Sequence, residues 1–168
     1  MIDSNDHNEI FIDREGIWYF RGTEMIRKDI VQYFYKYLKR DHKGNYLIEI
    51  EGDRCKVRVE DTPYVIRSIA VGFFQNSGKS YIDLSLNDGG IERLNLDASL
   101  RIGDDNVLYC MVKKGEHEAR FSRPAYYQFC EHIDYDSRRG RYRLVLNHIS
   151  YPLVLMKGCN QQDPPDER

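Results

Sequence analysis

The sequence predicts an α+β fold, built mostly from antiparallel β-sheet in two small packed lobes with two main helices. Tyrosine is abundant, with 13 residues among 168, and aromatic side chains suit half-buried pleated surfaces. Short segments of alternating apolar and polar residues recur along the chain and are joined by turns of hairpin length. Only two segments repeat apolar residues at helical spacing, and no strand–helix–strand alternation is present.

The first half of the chain predicts an α+β lobe over residues 9–67, preceded by a disordered segment over residues 1–8. Ile10–Asp13 and Ile17–Phe20 form a hairpin in which Gly16 takes a positive φ. A helix follows, ending near the basic residues Lys36, Lys39 and Arg40. Its predicted inward residues are Ile26, Ile30, Val31, Phe34, Tyr37 and Leu38. The next predicted strands are Tyr46–Glu51, Arg54–Glu60 and Tyr64–Phe74.

The second half predicts a β-rich lobe over residues 68–159 with one helix, and a disordered tail over residues 160–168. Ala119 and Phe121 alternate with Glu118 and Arg120 on a strand, and Pro124 then suits the first turn of a helix. The other predicted strands are Ser80–Leu86, Ile91–Leu96, Asn106–Val112, Arg141–Leu146 and Ile149–Met156. Exposed edges of antiparallel sheet favour pairing, so a homodimer is among the expected assemblies.

Composition bounds the classes of function. Fractions of 41% hydrophobic and 31% charged residues are typical of a soluble globular protein. The net charge of −2 argues against a general nucleic-acid binder, because neutralising phosphates normally needs a basic balance. Residues 1–8 lack the apolar core of a signal peptide, and no stretch has the length of a membrane span. We therefore expect a cytoplasmic protein with no membrane partner.

Known metal and catalytic signatures are missing from the sequence. The cysteines Cys55, Cys110, Cys130 and Cys159 form no closely spaced pair, and the first three lie in apolar patterns that predict small buried side chains. The five histidines show no ligand spacing, and neither a GxSxG elbow nor a complete phosphate-binding loop is present. The sequence therefore predicts no metal site and no cofactor.

The transition from strand to helix at residues 115–127 carries the candidate ligand site. Its residues are Glu118, Arg120, Arg123, Tyr126 and Tyr127. Arginine offers a planar fork to a carboxylate or phosphate, and Glu118 would hold that fork in position. The alternative interpretation is a structural Glu–Arg pair that ties the strand to the helix.

Two further polar segments leave alternatives open. Glu60 and Asp61 are adjacent carboxylates that could complete the ligand site, hold a cation or act as a base, but Asp61 also suits a turn in which it accepts backbone N–H groups. Arg138–Arg143 interleaves arginine with tyrosine, a pattern that could bind RNA. Alternation along a strand equally predicts a solvated basic face there.

Several fragments resemble an uncharacterised bacterial family, domain of unknown function 1285. They are Gly16–Tyr19, Arg21–Thr23, Ile26–Arg27, Val59–Tyr64, Glu118–Arg120 and Ser122–Tyr127. The resemblance covers about residues 16–155 and implies an α+β fold in a soluble bacterial protein. It implies no activity.

These observations favour a non-enzymatic binding or regulatory module that recognises a small anionic molecule or a protein partner. The alternative is a hydrolase with Glu60, Asp61 or Glu118 as general base, which requires those carboxylates to converge in one pocket. A weaker alternative is RNA binding through Arg138–Arg143.

Overall fold

A computed structural model describes residues 10–98 and 100–155. In that part of the chain, two α-helices accompany two mixed β-sheets, so the predicted α+β class is confirmed. Neither helix is long and apolar enough to cross a membrane. The predicted disordered segments at residues 1–8 and 160–168 lie outside the described residues, as does Cys159.

The first sheet has six strands in the order β3-β2-β1-β6-β5-β4. Their bounds are β1 (Ile10–Ile12), β2 (Trp18–Phe20), β3 (Thr23–Glu24), β4 (Leu38–Arg40), β5 (Tyr46–Ile50) and β6 (Asp53–Val59). Helix α1 (Lys28–Tyr37) connects β3 to β4. The pairing of β1 with β6 is parallel, which the hairpin-length links did not predict.

The second sheet has nine strands in the order β13-β14-β15-β10-β11-β12-β7-β8-β9. Their bounds are β7 (Tyr64–Phe73), β8 (Ser80–Leu86), β9 (Ile91–Arg93), β10 (Leu100–Ile102), β11 (Leu108–Val112), β12 (His117–Phe121), β13 (Ile133–Asp136), β14 (Arg141–Leu146) and β15 (Ile149–Leu155). Helix α2 (Arg123–Cys130) follows β12. The pairs β10–β15 and β12–β7 are parallel, and the other strand pairs described in this sheet are antiparallel.

Helix α1 is shorter than its apolar pattern predicts. Ile26 precedes the helix and is 81% exposed, so its predicted inward position is wrong. At the other end the chain leaves the helix after Tyr37, and Leu38 pairs with Ile48 as part of β4. Tyr35 is the residue that α1 buries. Sheet pairing thus outweighs the helical periodicity at Leu38.

The buried position predicted for Cys55 is also wrong, because the side chain is exposed. Among the described residues, β1 pairs with β6 only from Val57 to Val59, so Cys55 lies beyond the part of the sheet that β1 flanks. Cys110 is buried as predicted, and burial raises the pKa of its thiol to about 12. Cys130 is partly exposed on α2.

One hydrophobic core extends across both sheets. A chain of aromatic rings crosses it from the first sheet to the second and back. The Trp18 ring lies 4.9 Å from that of Tyr35, which lies 5.1 Å from Tyr64. The His117 ring is 5.2 Å from Tyr64 and stacks on Tyr46 at 5.8 Å. These contacts hold the sheets together by the burial of large apolar surfaces.

The Asn87 side chain makes the central polar connection between the sheets. Its Oδ1 accepts from the Val65 N–H at 2.9 Å, and its Nδ2 donates to the Tyr35 hydroxyl at 2.6 Å. The same Nδ2 lies 3.3 Å from the carbonyl oxygens of Gly16 and Pro63. Gly16 has a φ of +73°, and a Cβ there would overlap Asn87 Nδ2 and come within 2.8 Å of Val65 Cγ2. The hairpin, the helix and the second sheet therefore meet at one amide.

We expect Asn87→Ala to lower the free energy of unfolding by about 2–4 kcal/mol, because it leaves several partly buried polar groups without a partner. Urea denaturation followed by circular dichroism measures this loss. Asn95→Ala is the control and should cost about 1 kcal/mol or less, since Asn95 is exposed and its side chain accepts from the Asp97 N–H alone among the described residues. Equal losses in both variants would contradict a connecting role for Asn87.

Candidate functional site

The residues predicted as one ligand site lie on two elements, some on strand β12 and the others on helix α2. On β12, Glu118 and Arg120 alternate with the buried residues His117, Ala119 and Phe121. Helix α2 then begins after its cap, where the Ser122 hydroxyl accepts from the Ala125 N–H at 3.4 Å, and Pro124 occupies the first turn as predicted. Arg123 and Tyr127 are exposed on this helix and Tyr126 is partly buried. None of these three lines the cleft that contains Glu118.

That cleft has a volume of about 710 Å³ and lies where the first sheet meets β12 of the second. The first sheet contributes Arg40 from β4, Tyr46 from β5, and Lys56 and Arg58 from β6. The connection from β6 to β7 contributes Asp61 and Thr62, and β12 contributes Glu118. The remaining lining residues are Asp41, Gly44, Asn45, Leu47, Arg54, Val57 and Val59. Cations and carboxylates therefore share one concave surface.

Glu118 does not pair with Arg120. Its two carboxylate oxygens accept from Nε and Nη2 of Arg101 on β10 at 2.7 and 2.8 Å, a bidentate contact. The Arg101 guanidinium also lies 3.8 Å from the centroid of the Tyr109 ring. Among the described residues, Glu118 is thus held by an arginine from the interior of the second sheet, not by its neighbour on the strand.

Asp61 is the partner of Arg120. The Arg120 guanidinium lies 3.1 Å from Asp61 Oδ2, and the Tyr109 hydroxyl donates to the same carboxylate at 3.0 and 3.2 Å. Burial and this hydrogen bond raise the pKa of Tyr109 to about 12. Beside Asp61, the buried Thr62 hydroxyl accepts from the Arg120 N–H at 3.2 Å and donates to the Tyr64 carbonyl at 2.8 Å. Side chains of the second sheet therefore hold Asp61 in place.

Glu60, the neighbour of Asp61, is engaged elsewhere. Its carboxylate accepts from the backbone N–H of Arg14 at 3.0 Å and from the Arg14 guanidinium at 2.7 and 3.0 Å. These hydrogen bonds lower the pKa of Glu60. Glu60 does not line the cleft and fastens the β1–β2 turn to the end of β6.

Three cations of the cleft have no carboxylate partner among residues 10–98 and 100–155. Arg40 donates to the Gly44 carbonyl at 3.2 Å, and its guanidinium lies 5.7 Å from the centroid of the Tyr46 ring. The Arg58 guanidinium lies 3.8 Å from the centroid of the Phe11 ring, and Lys56 is exposed. Arg54, the fourth cation of the lining, pairs with Glu49 at 3.1 Å. The Asp41 carboxylate, which also lines the cleft, accepts hydrogen bonds within its own turn, so among the described residues three unpaired cations face one carboxylate without a cation partner.

The sequence analysis assigned no ligand-binding role to those three cations. Lys56 and Arg58 lie two residues apart on one strand face without an acid between them, a signal that is equally typical of a solvated face. Arg40 was placed at the end of a helix, whereas it pairs with Tyr46 across the β4–β5 hairpin. Only that pairing places Arg40 at the same cleft as β6.

The carboxylates required for a hydrolase converge in part. Asp61 and Glu118 line the same cleft, but an arginine occupies each of them, and Glu60 lies outside. Within the described part of the chain, no group of three or more His, Cys, Asp and Glu side chains is placed to hold a metal ion. The arrangement offers fixed charges and not a free base.

The basic run Arg138–Arg143 is balanced by two aspartates. The Arg143 guanidinium lies 2.6 Å from Asp134 and 3.8 Å from Asp136, and Arg139 lies 3.9 Å from Asp136. Arg141 pairs with Asp136 in the register of β13 and β14. The charges of this run are thus partly neutralised on its own sheet.

Residues 3–62 match the family model described as "Domain of unknown function (DUF1285), N-terminal domain". The resemblance to DUF1285 is confirmed. The matched segment contains the first sheet, helix α1, and the cleft residues Arg40, Lys56, Arg58 and Asp61. Glu118 lies beyond it.

Two solved DUF1285 structures share the fold. The protein from Silicibacter pomeroyi DSS-3 is 22% identical with a TM-score of 0.72, and the match covers 87% of this chain and 79% of that one. The protein from Shewanella baltica OS155 is 20% identical with a TM-score of 0.57, covering 73% of this chain and 91% of that one. No curated protein matches the sequence.

Next to the cleft, His117 is buried, and its Nδ1 has no hydrogen-bond partner among the described residues. Its ring lies between Tyr46, which lines the cleft, and Tyr64. Burial lowers the pKa of His117 below its usual value of 6.5, and the positive charges of Arg40 and Lys113 act in the same direction. The negative charges of Glu116 and Glu92 oppose this shift. The folded protein therefore favours the neutral imidazole.

The lowered pKa of His117 predicts a loss of stability in weak acid. Above pH 6.5 the imidazole is neutral in both the folded and the unfolded state, and His117 makes its full contribution to the free energy of unfolding. Below pH 6.5 the unfolded chain binds a proton at this residue before the folded chain does. The free energy of unfolding should fall as pH decreases from 6.5 towards the folded pKa. Denaturation at several pH values measures this slope, and His117→Phe should reduce it. An unchanged slope in His117→Phe would contradict the assignment.

We expect Arg120→Met to lower the free energy of unfolding by about 1–3 kcal/mol, because a partly buried Asp61 loses its cation. Arg143→Met is the control, since its pair with Asp134 is more exposed and should contribute about 1 kcal/mol or less. A double-mutant cycle of Arg120→Met with Asp61→Asn, followed by urea denaturation, gives the coupling. Additive effects would show that the pair has no structural role.

Proposed function

We propose that this protein is a non-enzymatic binding module whose cleft recognises an anionic group, carried by a small molecule or by a protein partner. The observation that supports the proposal is the difference between the two kinds of charge in the cleft. Asp61 and Glu118 are each paired with an arginine, and the Asp41 carboxylate accepts hydrogen bonds within its own turn. Arg40, Lys56 and Arg58 have no carboxylate partner in the described part of the chain. The local excess of positive charge favours an anion.

The type of cation also favours this function. The guanidinium groups of Arg40 and Arg58 offer planar sets of donors that match carboxylate and phosphate oxygens. The aromatic rings of Tyr46 and Phe11 lie within 5.7 and 3.8 Å of these groups, which restricts their motion before a ligand binds. Less conformational freedom is then lost on binding.

A hydrolase remains the alternative, with Asp61 or Glu118 as the base. The pairing of both carboxylates with arginine favours a fixed charge over proton transfer, so we place this alternative second. RNA binding through Arg138–Arg143 is less favoured still, because two of its arginines, Arg139 and Arg143, lie within 4 Å of Asp134 or Asp136. Each alternative stays a hypothesis.

We propose the same setting that the sequence predicts, a cytoplasmic bacterial protein for which a homodimer through an exposed sheet edge is one of the expected assemblies. We also keep the division into two lobes, each built on one sheet. The first sheet ends at Val59 and β7 begins at Tyr64, so the predicted boundary at residue 67 falls inside β7. A lobe boundary at residues 60–63 agrees better with the strands.

The proposal predicts that phosphate, sulfate or a dicarboxylate raises the thermal midpoint of the protein. An anion at 100 times its Kd should add about 2.7 kcal/mol of stability. Lys56→Gln and Arg58→Gln should each weaken binding about fivefold or more, measured by calorimetry.

Lys79→Gln is the matched control, because it removes the same charge from an exposed turn outside the cleft. It should leave the affinity unchanged. Equal weakening in Lys56→Gln and Lys79→Gln would indicate binding to the general charge of the surface. No shift with any anion would overturn the proposal.

A further inference from the structure

The cleft presents charges of both signs, arranged on different elements. The cations Arg40, Lys56 and Arg58 belong to strands of the first sheet. The carboxylates of Asp61 and Glu118 belong to the segment after β6 and to β12. Asp41 in the β4–β5 turn is a third carboxylate of the lining and accepts from the Asn45 N–H. A ligand in the cleft therefore meets charges of both signs.

The two carboxylates still have capacity for a ligand. Their side chains remain 27% and 33% exposed although arginines hold them. An ionised carboxylate has about four acceptor sites, and Arg101 occupies only two of those on Glu118. The sites left over can accept from a cationic donor.

Tyr46 lies near charges of both signs. Burial is the main cause that raises the pKa of its hydroxyl, the charge of Glu118 raises it further, and the charge of Arg40 lowers it. The Tyr46 hydroxyl is therefore within electrostatic reach of both a cation and a carboxylate of the cleft.

A simple anion does not use this arrangement fully. The cations attract it, while Asp61 and Glu118 repel it wherever it approaches them. An ammonium group on the same molecule converts that repulsion into attraction. The charges of both signs in the cleft are thus complementary to a dipole.

We infer that the ligand is dipolar, carrying an anionic group for Arg40, Lys56 and Arg58 and an ammonium group for Asp61 and Glu118. This chemistry is that of a free amino acid or of a short peptide with both termini charged. The inference rests on the proposed function, since it assigns the anion to the same cations. The inference further assigns Asp61 and Glu118 the selection of ligands that carry an ammonium group.

Calorimetry with glycine, glycylglycine and triglycine tests the inference when each is compared with its N-acetyl form. Acetylation removes the ammonium charge and keeps the carboxylate. We expect at least one free compound to bind about fivefold or more tightly than its acetylated form. The length of the compound that binds most tightly then shows whether the ligand is a free amino acid or a short peptide. Asp61→Asn should abolish this preference.

Asp83→Asn is the matched control, because Asp83 is 29% exposed and pairs with Arg93 at 3.2 Å outside the cleft. It should retain the preference. Equal binding of free and acetylated forms would overturn the dipolar ligand and leave anion recognition intact. If neither these compounds nor inorganic phosphate binds, both proposals are wrong. A preference that survives Asp61→Asn and Glu118→Gln would also overturn the role of the carboxylates.

Discussion

The amide of Asn87 is the constraint on which the positions of the other parts depend. It joins the β1–β2 turn at Gly16, helix α1 at Tyr35, and the start of β7 at Val65. Tyr35 in turn donates to the Pro63 carbonyl at 2.8 Å, so the segment between the sheets is fixed from both sides. Asp61 lies two residues before this proline. The polar connection in the core therefore determines where a cleft carboxylate is placed.

The same segment links the cleft to the parallel pairing of β12 with β7. Thr62 accepts from the Arg120 N–H on β12 and donates to the Tyr64 carbonyl on β7, which extends the strand pairing by one contact. Arg120 then returns from β12 to Asp61. The register of β12 in the sheet therefore determines whether Arg120 can pair with Asp61 beside the cleft. A shift of one residue in β12 would turn Arg120 away from Asp61, because alternate residues face opposite sides.

Local patterns predicted much of the secondary structure, and long-range pairing determined what they missed. Ser122 and Pro124 specify the start of α2 because cap and first-turn preferences act within a few residues. The partner of Glu118 could not be found in the same way. Arg101 reaches it from β10, over the ring of Tyr109 on the intervening strand β11. That contact depends on strand order, which periodicity within one segment does not encode.

The unpaired cations of the cleft do not result from a shortage of acids. The chain has 27 acidic and 25 basic residues, so carboxylates are numerous enough to neutralise every cation. Asp61 and Glu118 even line the same cleft as Arg40, Lys56 and Arg58. They do not neutralise these cations because Arg120, Tyr109 and Arg101 hold them from the second sheet. Holding Asp61 and Glu118 with internal arginines leaves cations and carboxylates exposed in the same cleft, and these charges of both signs are what a ligand can recognise.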